Sequence, residues 1–153
     1  MAFEIKIENI NEIREVFRMY PVVANREIQK GLLDSGKVIA GQEKKEAPVG
    51  VTAHLRQSIG IRLKKGSVII VPKKGYAVAV HEGTKPHYVS VKNKRAPLRI
   101  WAIKKGINPY ALQKSIMRKG TKANPFVDRT IQKAEYRVRR IFVSVLEKII
   151  KSI

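Results

Sequence analysis

Three histidines and a thin scatter of acids are the groups whose types and spacing invite chemistry. His81-Glu82 followed by His87 comes nearest to a zinc-hydrolase arrangement, in which two histidines four apart on a helix hold the metal and a glutamate lies between them. Here the second histidine follows six residues later, across Gly83 and Pro86, so one helix cannot carry the set. His54 could add a ligand only through an accident of folding, and loop or strand-edge histidines are the simpler reading. Ser58, His81 and Asp128 could be strung into a triad, but no nucleophile elbow surrounds the serine. Glu82 is the one acid between Ala47 and Val127, so the paired carboxylates that acid-base catalysis uses are missing there. The glycines follow Lys-Lys pairs rather than joining a strand to a helix, which excludes a phosphate-cradling loop. The chain is expected to be no enzyme, with no catalytic residue, metal or cofactor.

Charge is the stronger signal. The 153 residues carry a net charge of +20, unevenly placed. Residues 1–46 hold eight basic and eight acidic side chains, whereas Ala47 to Val127 holds seventeen Lys or Arg against Glu82 alone. Such a field favours a polyanionic partner and opposes close self-association unless it is neutralised; a lysine-rich solvated surface is the bland alternative. Aromatics are few between Ala47 and Pro125, namely Tyr76, Tyr88, Trp101 and Tyr110, and base-stacking strands, helix-turn-helix and zinc-finger patterns are missing. Sequence-specific recognition is therefore disfavoured. Nonspecific phosphate contact needs little but charge, and its candidates are Lys64, Lys65, Lys73, Lys74, Lys85, Lys92, Lys94 and Arg95. With no cysteine, disulfides and thiolate sites are excluded. No apolar run reaches the length of a membrane span, and the first ten residues lack signal-peptide order, so a soluble chain made in the cytoplasm is expected.

The elements that must position these residues can be read from periodicity. Phe3, Ile5 and Ile7 alternate with charged residues, which predicts a short strand able to pair with a sheet edge. Asn9 or Asn11 would cap a helix over Ile10 to Tyr20, which Pro21 ends or kinks. From Val22 to about Lys45 the spacing predicts a helix with Ala24, Ile28, Leu32, Ser35 and Ile39 on one face and Arg26, Lys30, Asp34, Lys37 and Glu43 opposite. Gly31, Gly36 and Gly41 weaken it, so it must lean on a sheet. Ala53 to Leu63, Val68 to Val71 and Tyr76 to Val80 read as three strands joined by turns at Lys64-Lys65-Gly66-Ser67 and Lys73-Lys74-Gly75. Beyond the loop from Lys85, Val89 to Val91 could form a short strand. Helices then follow over Leu98 to Lys105, from Pro109 to Gly120, and from Asn124-Pro125-Phe126 to the end. The last is expected to bury Val127, Ile131, Ala134, Val138, Ile141, Val145 and Leu146, with Phe142, Ile149, Ile150 and Ile153 widening the stripe toward the end. Arg137, Arg139, Arg140, Lys148 and Lys151 flank that stripe, which is read as core or subunit contact rather than a membrane-surface helix. The fold class is α+β: an antiparallel sheet of three to four strands packed by long N- and C-terminal helices. One domain is expected over 1–153, with N-terminal strand and helices over 1–46, sheet over 47–91, a basic helical insert over 92–123 and the last helix over 124–153.

The order of the motifs carries a resemblance. Ala47-Pro48, then Thr52-Ala53-His54-Leu55-Arg56-Gln57-Ser58-Ile59, then Tyr76-Ala77 running into His81-Glu82-Gly83-Thr84, and finally Asn124-Pro125-Phe126 before a terminal helix resemble the tail-component, or head-tail joining, family of lambda-like tailed phages. Its members carry an AP...TGxLRxSI block, a YAxxVExGT block and a late PF. Two departures stand out: Ala53 replaces the family's glycine, and the segment from Lys92 to Ile116 is longer than in compact members.

The resemblance implies a structural virion protein, made in the host cytoplasm and placed at the neck. It would form a homo-oligomeric ring, sixfold or twelvefold, between a portal, adaptor or head-closure protein and a tail-tube or tail-terminator protein. Double-stranded DNA would pass through the ring with nonspecific contact, and no membrane is involved. Leu55, Arg56, Glu82, Gly83, Thr84, Pro125 and Phe126 are then motif or interface candidates. The plainer alternative makes Leu55 and Phe126 core, lets Gly83 and Pro125 shape the backbone, and pairs Arg56 with Glu82. The exposed strand edge, the loop from Gly83 to Arg95 and the terminal helix are candidate subunit contacts. The alternative function is a cellular protein that binds nucleic acid nonspecifically; a hydrolase using His81 and Glu82 is a third class.

Overall fold

The computed structural model describes residues 5–6 and 21–151. The helix expected over Ile10 to Tyr20 and the expected stripe residue Ile153 lie outside the described residues. The longest elements are two helices of 26 residues each, α1 (Pro21–Glu46) and α6 (Phe126–Lys151). They run antiparallel: Glu46 at the end of α1 meets Arg129 in the first turn of α6, and Gly31 faces Val145. Ala24, Ile28, Leu32, Ser35 and Ile39 are all buried, as the 3.6-residue repeat predicts, while Arg26, Lys30, Asp34 and Lys37 are exposed. Glu43 departs from its expected place on the polar face. It lies four residues beyond Ile39, in phase with the stripe, and is buried.

Two of the α1 glycines have a packing reason. A Cβ on Gly31 would stand 2.7 Å from Val145 Cγ2, and one on Gly36 would stand 2.6 Å from Val68 Cγ2 and 3.2 Å from Ile61 Cγ2. Five residues of helix separate them by roughly 140° around the axis. The first therefore admits α6 and the second admits the sheet, with α1 between the two. Leu32, Val68, Ile70, Phe126 and Ile149 are fully buried where these layers meet.

The sheet is built on one two-stranded antiparallel hairpin, not on the meander of three to four strands expected. Strands β2 (Ile59–Lys64) and β3 (Ser67–Pro72) pair in register from Ile59 opposite Pro72 to Lys64 opposite Ser67, and Gly66 turns them with φ of 79°. The stretch β1 (Ile5–Lys6) pairs antiparallel with Ile70 and Ile69 on the other edge of β3, as the alternation around Ile5 predicts. That pairing occupies the edge a third hairpin strand would have needed.

The expected first strand begins late. Its opening forms a short helix, α2 (His54–Ser58), entered through Ala53 at φ 51° and ψ 18°, and only from Ile59 is the chain extended. The expected third strand is a helix as well, α3 (Ala77–Glu82). Four residues of alternating Ala and Val do not separate a period of 2.0 from one of 3.6; Tyr76 already has helical φ and ψ, and Gly75 has no positive φ to make the second hairpin turn. Val89 to Val91 forms no strand, although Val91 is fully buried. Helices α4 (Pro97–Lys104) and α5 (Pro109–Lys119) follow, each with proline in its first turn, and Asn108 caps α5 through its side-chain oxygen. In α6, Ile149 is buried as expected, but Ile131 and Ile150 are exposed and Thr130, not singled out from sequence, joins the buried stripe.

Candidate interface: a Gly-Thr clasp and a basic excursion

Sequence reading singled out Gly83 and Thr84 but missed their partners. Gly83-Thr84-Lys85 and Gly120-Thr121-Lys122 are the same tripeptide, and the structure sets them against each other as an antiparallel bridge. Thr84 N–H donates to the Thr121 carbonyl and Thr121 N–H to the Thr84 carbonyl, both at 3.1 Å. The two hydroxyl oxygens lie 2.9 Å apart. Both glycines take positive φ, 78° and 73°. A Cβ on Gly83 would press on the Thr121 carbonyl oxygen and stand 2.8 Å from Ala123 N; one on Gly120 would press on the Thr84 carbonyl oxygen. Only glycine meets both demands at either position.

The clasp continues into the neighbouring motif positions. Asn124 N–H donates to the carbonyls of Val80 and His81, where α3 would otherwise leave its last carbonyls without partners. Pro125 precedes Phe126, which is fully buried and takes the His81 ring edge-on at a centroid distance of 5.6 Å. His81 Nε2 lies 3.7 Å from Asp128 Oδ2. Ser58, the third member of the triad considered from sequence, donates its hydroxyl to the Leu55 carbonyl in its own turn. His87 Nδ1 lies 2.9 Å from the Lys85 carbonyl oxygen, a bond made by the Nδ1–H tautomer.

A second set of contacts ties the clasp to the end of α1. Arg129 donates to Glu46 Oε2 at 3.2 Å and also to Asn124 Oδ1, and Lys133 reaches Glu46 Oε1 at 2.7 Å. The Lys133 hydrogen bond, helped by Arg129 and Gln42, holds the Glu46 carboxyl below its ordinary pKa. Arg56 does not pair with Glu82, which is exposed; its guanidinium donates to the carbonyls of Lys45 and Ala47 at 3.4 and 3.2 Å. A cation there satisfies carbonyls at the end of a long helix and complements its dipole. Leu55 is buried in the same core cluster as Phe126, as the plainer alternative has it.

Glu43 is the buried acid that sequence reading placed on the wrong face. Neither of its carboxylate oxygens has a hydrogen-bond partner, and burial pushes its pKa up to about 7. The signal was available in its spacing from Ile39 and was masked by residue type.

Between the two halves of the clasp the chain makes an excursion, residues 85–120. It contains α4 and α5, which pack on each other, and it buries Val91, Ala102 and Ile116 apart from the main core cluster. Arg99 fastens it internally by donating to the Val91 carbonyl at 3.0 Å. The excursion carries ten Lys or Arg and no acid.

The eight predicted phosphate-contact residues are all exposed but are not brought together. Lys64 and Lys65 sit at the hairpin turn, and Lys73 and Lys74 follow Pro72 at the other end; six residues of strand span roughly 20 Å. Lys85, Lys92, Lys94 and Arg95 belong to the excursion. Lys104, Lys105, Lys114, Arg118 and Lys119 extend that set and were not singled out from sequence, although the acid-free run from Gly83 to Val127 contains them. No protein family, curated protein or solved structure matches the chain.

Proposed function

We propose that this protein is a head-tail joining or tail-completion subunit of a tailed phage or prophage, one part of a ring through which duplex DNA passes. The observation that carries this reading is that the second and third motif blocks close on each other, with buried residues of the first block in the same core cluster. Arg56 holds the carbonyl of Ala47 within the first block, whose Ala47 and Leu55 share the core cluster of Phe126; His81 of the second block meets Asn124 and Phe126 of the third, and Thr84 bridges to the nearby Thr121. Residues up to 79 positions apart in sequence thus form one structural unit, which supports treating them as one pattern rather than as three commonplace fragments.

The departures from the family pattern support the same reading. Ala53 stands where the family has glycine, and its backbone is in the left-handed region that favours glycine. It keeps that conformation rather than giving a regular strand. The segment longer than in compact members, Lys92 to Ile116, lies wholly within an excursion that closes on itself, a place where added length is well tolerated.

The experiment is to delete the gene from the phage or prophage that carries it and to image the induced lysate by electron microscopy. Separate tails beside filled or leaking heads are the expected outcome; normal joined particles would overturn the proposal. The second reading, a cellular nonspecific nucleic-acid-binding protein, draws on the acid-free excursion. Tight binding of random duplex by the free monomer at physiological ionic strength would favour it.

A further inference from the structure

We propose that the excursion, residues 85–120, is the module that contacts double-stranded nucleic acid, that it does so through phosphates without reading bases, and that the hairpin lysines contribute little. The inference rests on the duplex contact in the proposed function but not on the ring.

The first support is the sign pattern. Acids elsewhere in the described chain are repeatedly paired: Glu27 with Lys30, Asp34 with Lys37, Glu46 with Arg129 and Lys133, Glu135 with Arg139. Inside the excursion there is no acid to pair with. An interface with one folded protein generally uses both signs to fix register and exclude wrong partners, whereas a phosphate backbone presents continuous negative charge and asks only for cations.

The second support is residue type. Seven of the ten cations are lysine, the residue depleted from protein-protein interfaces and suited to point-charge contact with phosphate. Arg99, one of the three arginines, is engaged with the Val91 carbonyl, which leaves little of the bidentate apparatus that reads guanine edges. Lys92, Lys94, Lys104, Lys105, Lys114 and Lys119 are all exposed.

The third support is mechanical. The clasp ties both ends of the excursion, its two helices pack on each other, and Val91, Ala102 and Ile116 are buried, so its cations are carried on a fixed base rather than on a loose tail. The hairpin lysines, in contrast, are divided between the two ends of a six-residue strand pair.

The test uses the full chain and fluorescence anisotropy with two unrelated duplexes of about 20 base pairs across a salt series beginning near 50 mM. Both duplexes are expected to bind equally, with log K falling linearly in log salt. Replacing the six lysines above by glutamine should flatten that slope by roughly 0.9 for each phosphate that is no longer neutralised and weaken binding at low salt by about 100-fold or more. The variant Lys64→Gln, Lys65→Gln, Lys73→Gln, Lys74→Gln should stay within about twofold of the parent, as sparse peripheral charges would. If the sixfold variant fails to melt cooperatively, Lys104→Gln with Lys105→Gln, at the end of α4, reads the same slope change with two charges. Parent-like binding by the excursion variants, loss confined to the hairpin variant, no parent binding at low salt, or equal competition by polyglutamate of matched charge would each overturn the inference. Joined particles after gene deletion would reject the neck reading and leave this one standing; an unaffected slope would do the reverse.

Discussion

The α1–α6 pair and the excursion between Thr84 and Thr121 treat charge in opposite ways. In the helix pair, Glu27, Asp34, Glu46 and Glu135 each face a cation within 4 Å, and the apolar stripes of both helices supply the main core. The excursion has ten cations and no acid of its own, and Val91, Ala102 and Ile116 are all the buried apolar residues it has. Exposed pairs are individually worth little, so the pairing on the helices matters less as stability than as partial neutralisation of their own cations. One region is built to hold together and the other to present charge. The clasp lets them coexist, because it fixes the excursion without placing its like charges against the core.

The sharpest way to break this division is at the clasp. Gly83→Ala places a Cβ against the Thr121 carbonyl in a backbone conformation that disfavours any side chain, and should cost about 3 kcal/mol or more in urea unfolding. A loss below about 1 kcal/mol would mean that the bridge is incidental to the fold.

Next in size is Glu43. Its pKa is raised to about 7 in the folded chain, above its value when unfolded. The native state therefore holds a proton that the unfolded state has released, and stability falls as pH rises from the ordinary glutamate range through 7. Glu43→Gln should leave stability nearly unchanged at pH 4 and raise it by about 2–3 kcal/mol at pH 8. Urea melts of both proteins across that range check it; parallel pH profiles would show that the buried carboxyl does not titrate as its burial requires.

The α1 glycines give a smaller paired contrast. Gly36→Ala meets Val68 and Ile61 and should destabilise by about 1–2 kcal/mol, net of helix propensity. Gly41→Ala meets nothing within 4 Å and should stabilise by about 0.5–1 kcal/mol. Equal shifts in thermal melts would mean that the hairpin does not press on α1 at Gly36. Smallest is Ala53→Gly, which relieves a left-handed alanine at the cost of added chain entropy and should gain roughly 0.5–1 kcal/mol in the same melts.

What could be read from sequence follows from the range of each signal. The α1 stripe recurs over the whole 26-residue helix, so its period is unmistakable, and the pairing of β2 with β3 was legible from the Lys64-Lys65-Gly66 turn. Glu43 was misplaced because an acid was assigned to the polar face by type although its phase put it inside. Tyr76 to Val80 was too short to distinguish strand from helix, and the edge of β3 taken by Ile5–Lys6 depends on a pairing some 65 residues apart. The clasp was invisible for the same reason: Thr84 and Thr121 are 37 positions apart, and no local pattern declares that two Gly-Thr-Lys turns will meet. The excess of basic charge was plain, but only the fold shows that the hairpin lysines are divided between the two ends of the strand pair.

The division between a scaffold whose charges are partly paired and an excursion without acids is tested most directly by residue-resolved native-state hydrogen exchange at low and high salt. Amides at Leu32 and Val145 should open only with global unfolding, whereas those at Ala102 and Ile116 should open at lower free energy and gain protection as salt screens the excursion's self-repulsion. A single opening energy for all four, with one common salt response, would contradict the account: the chain would then be one cooperative unit in which the ten cations exert no field of their own.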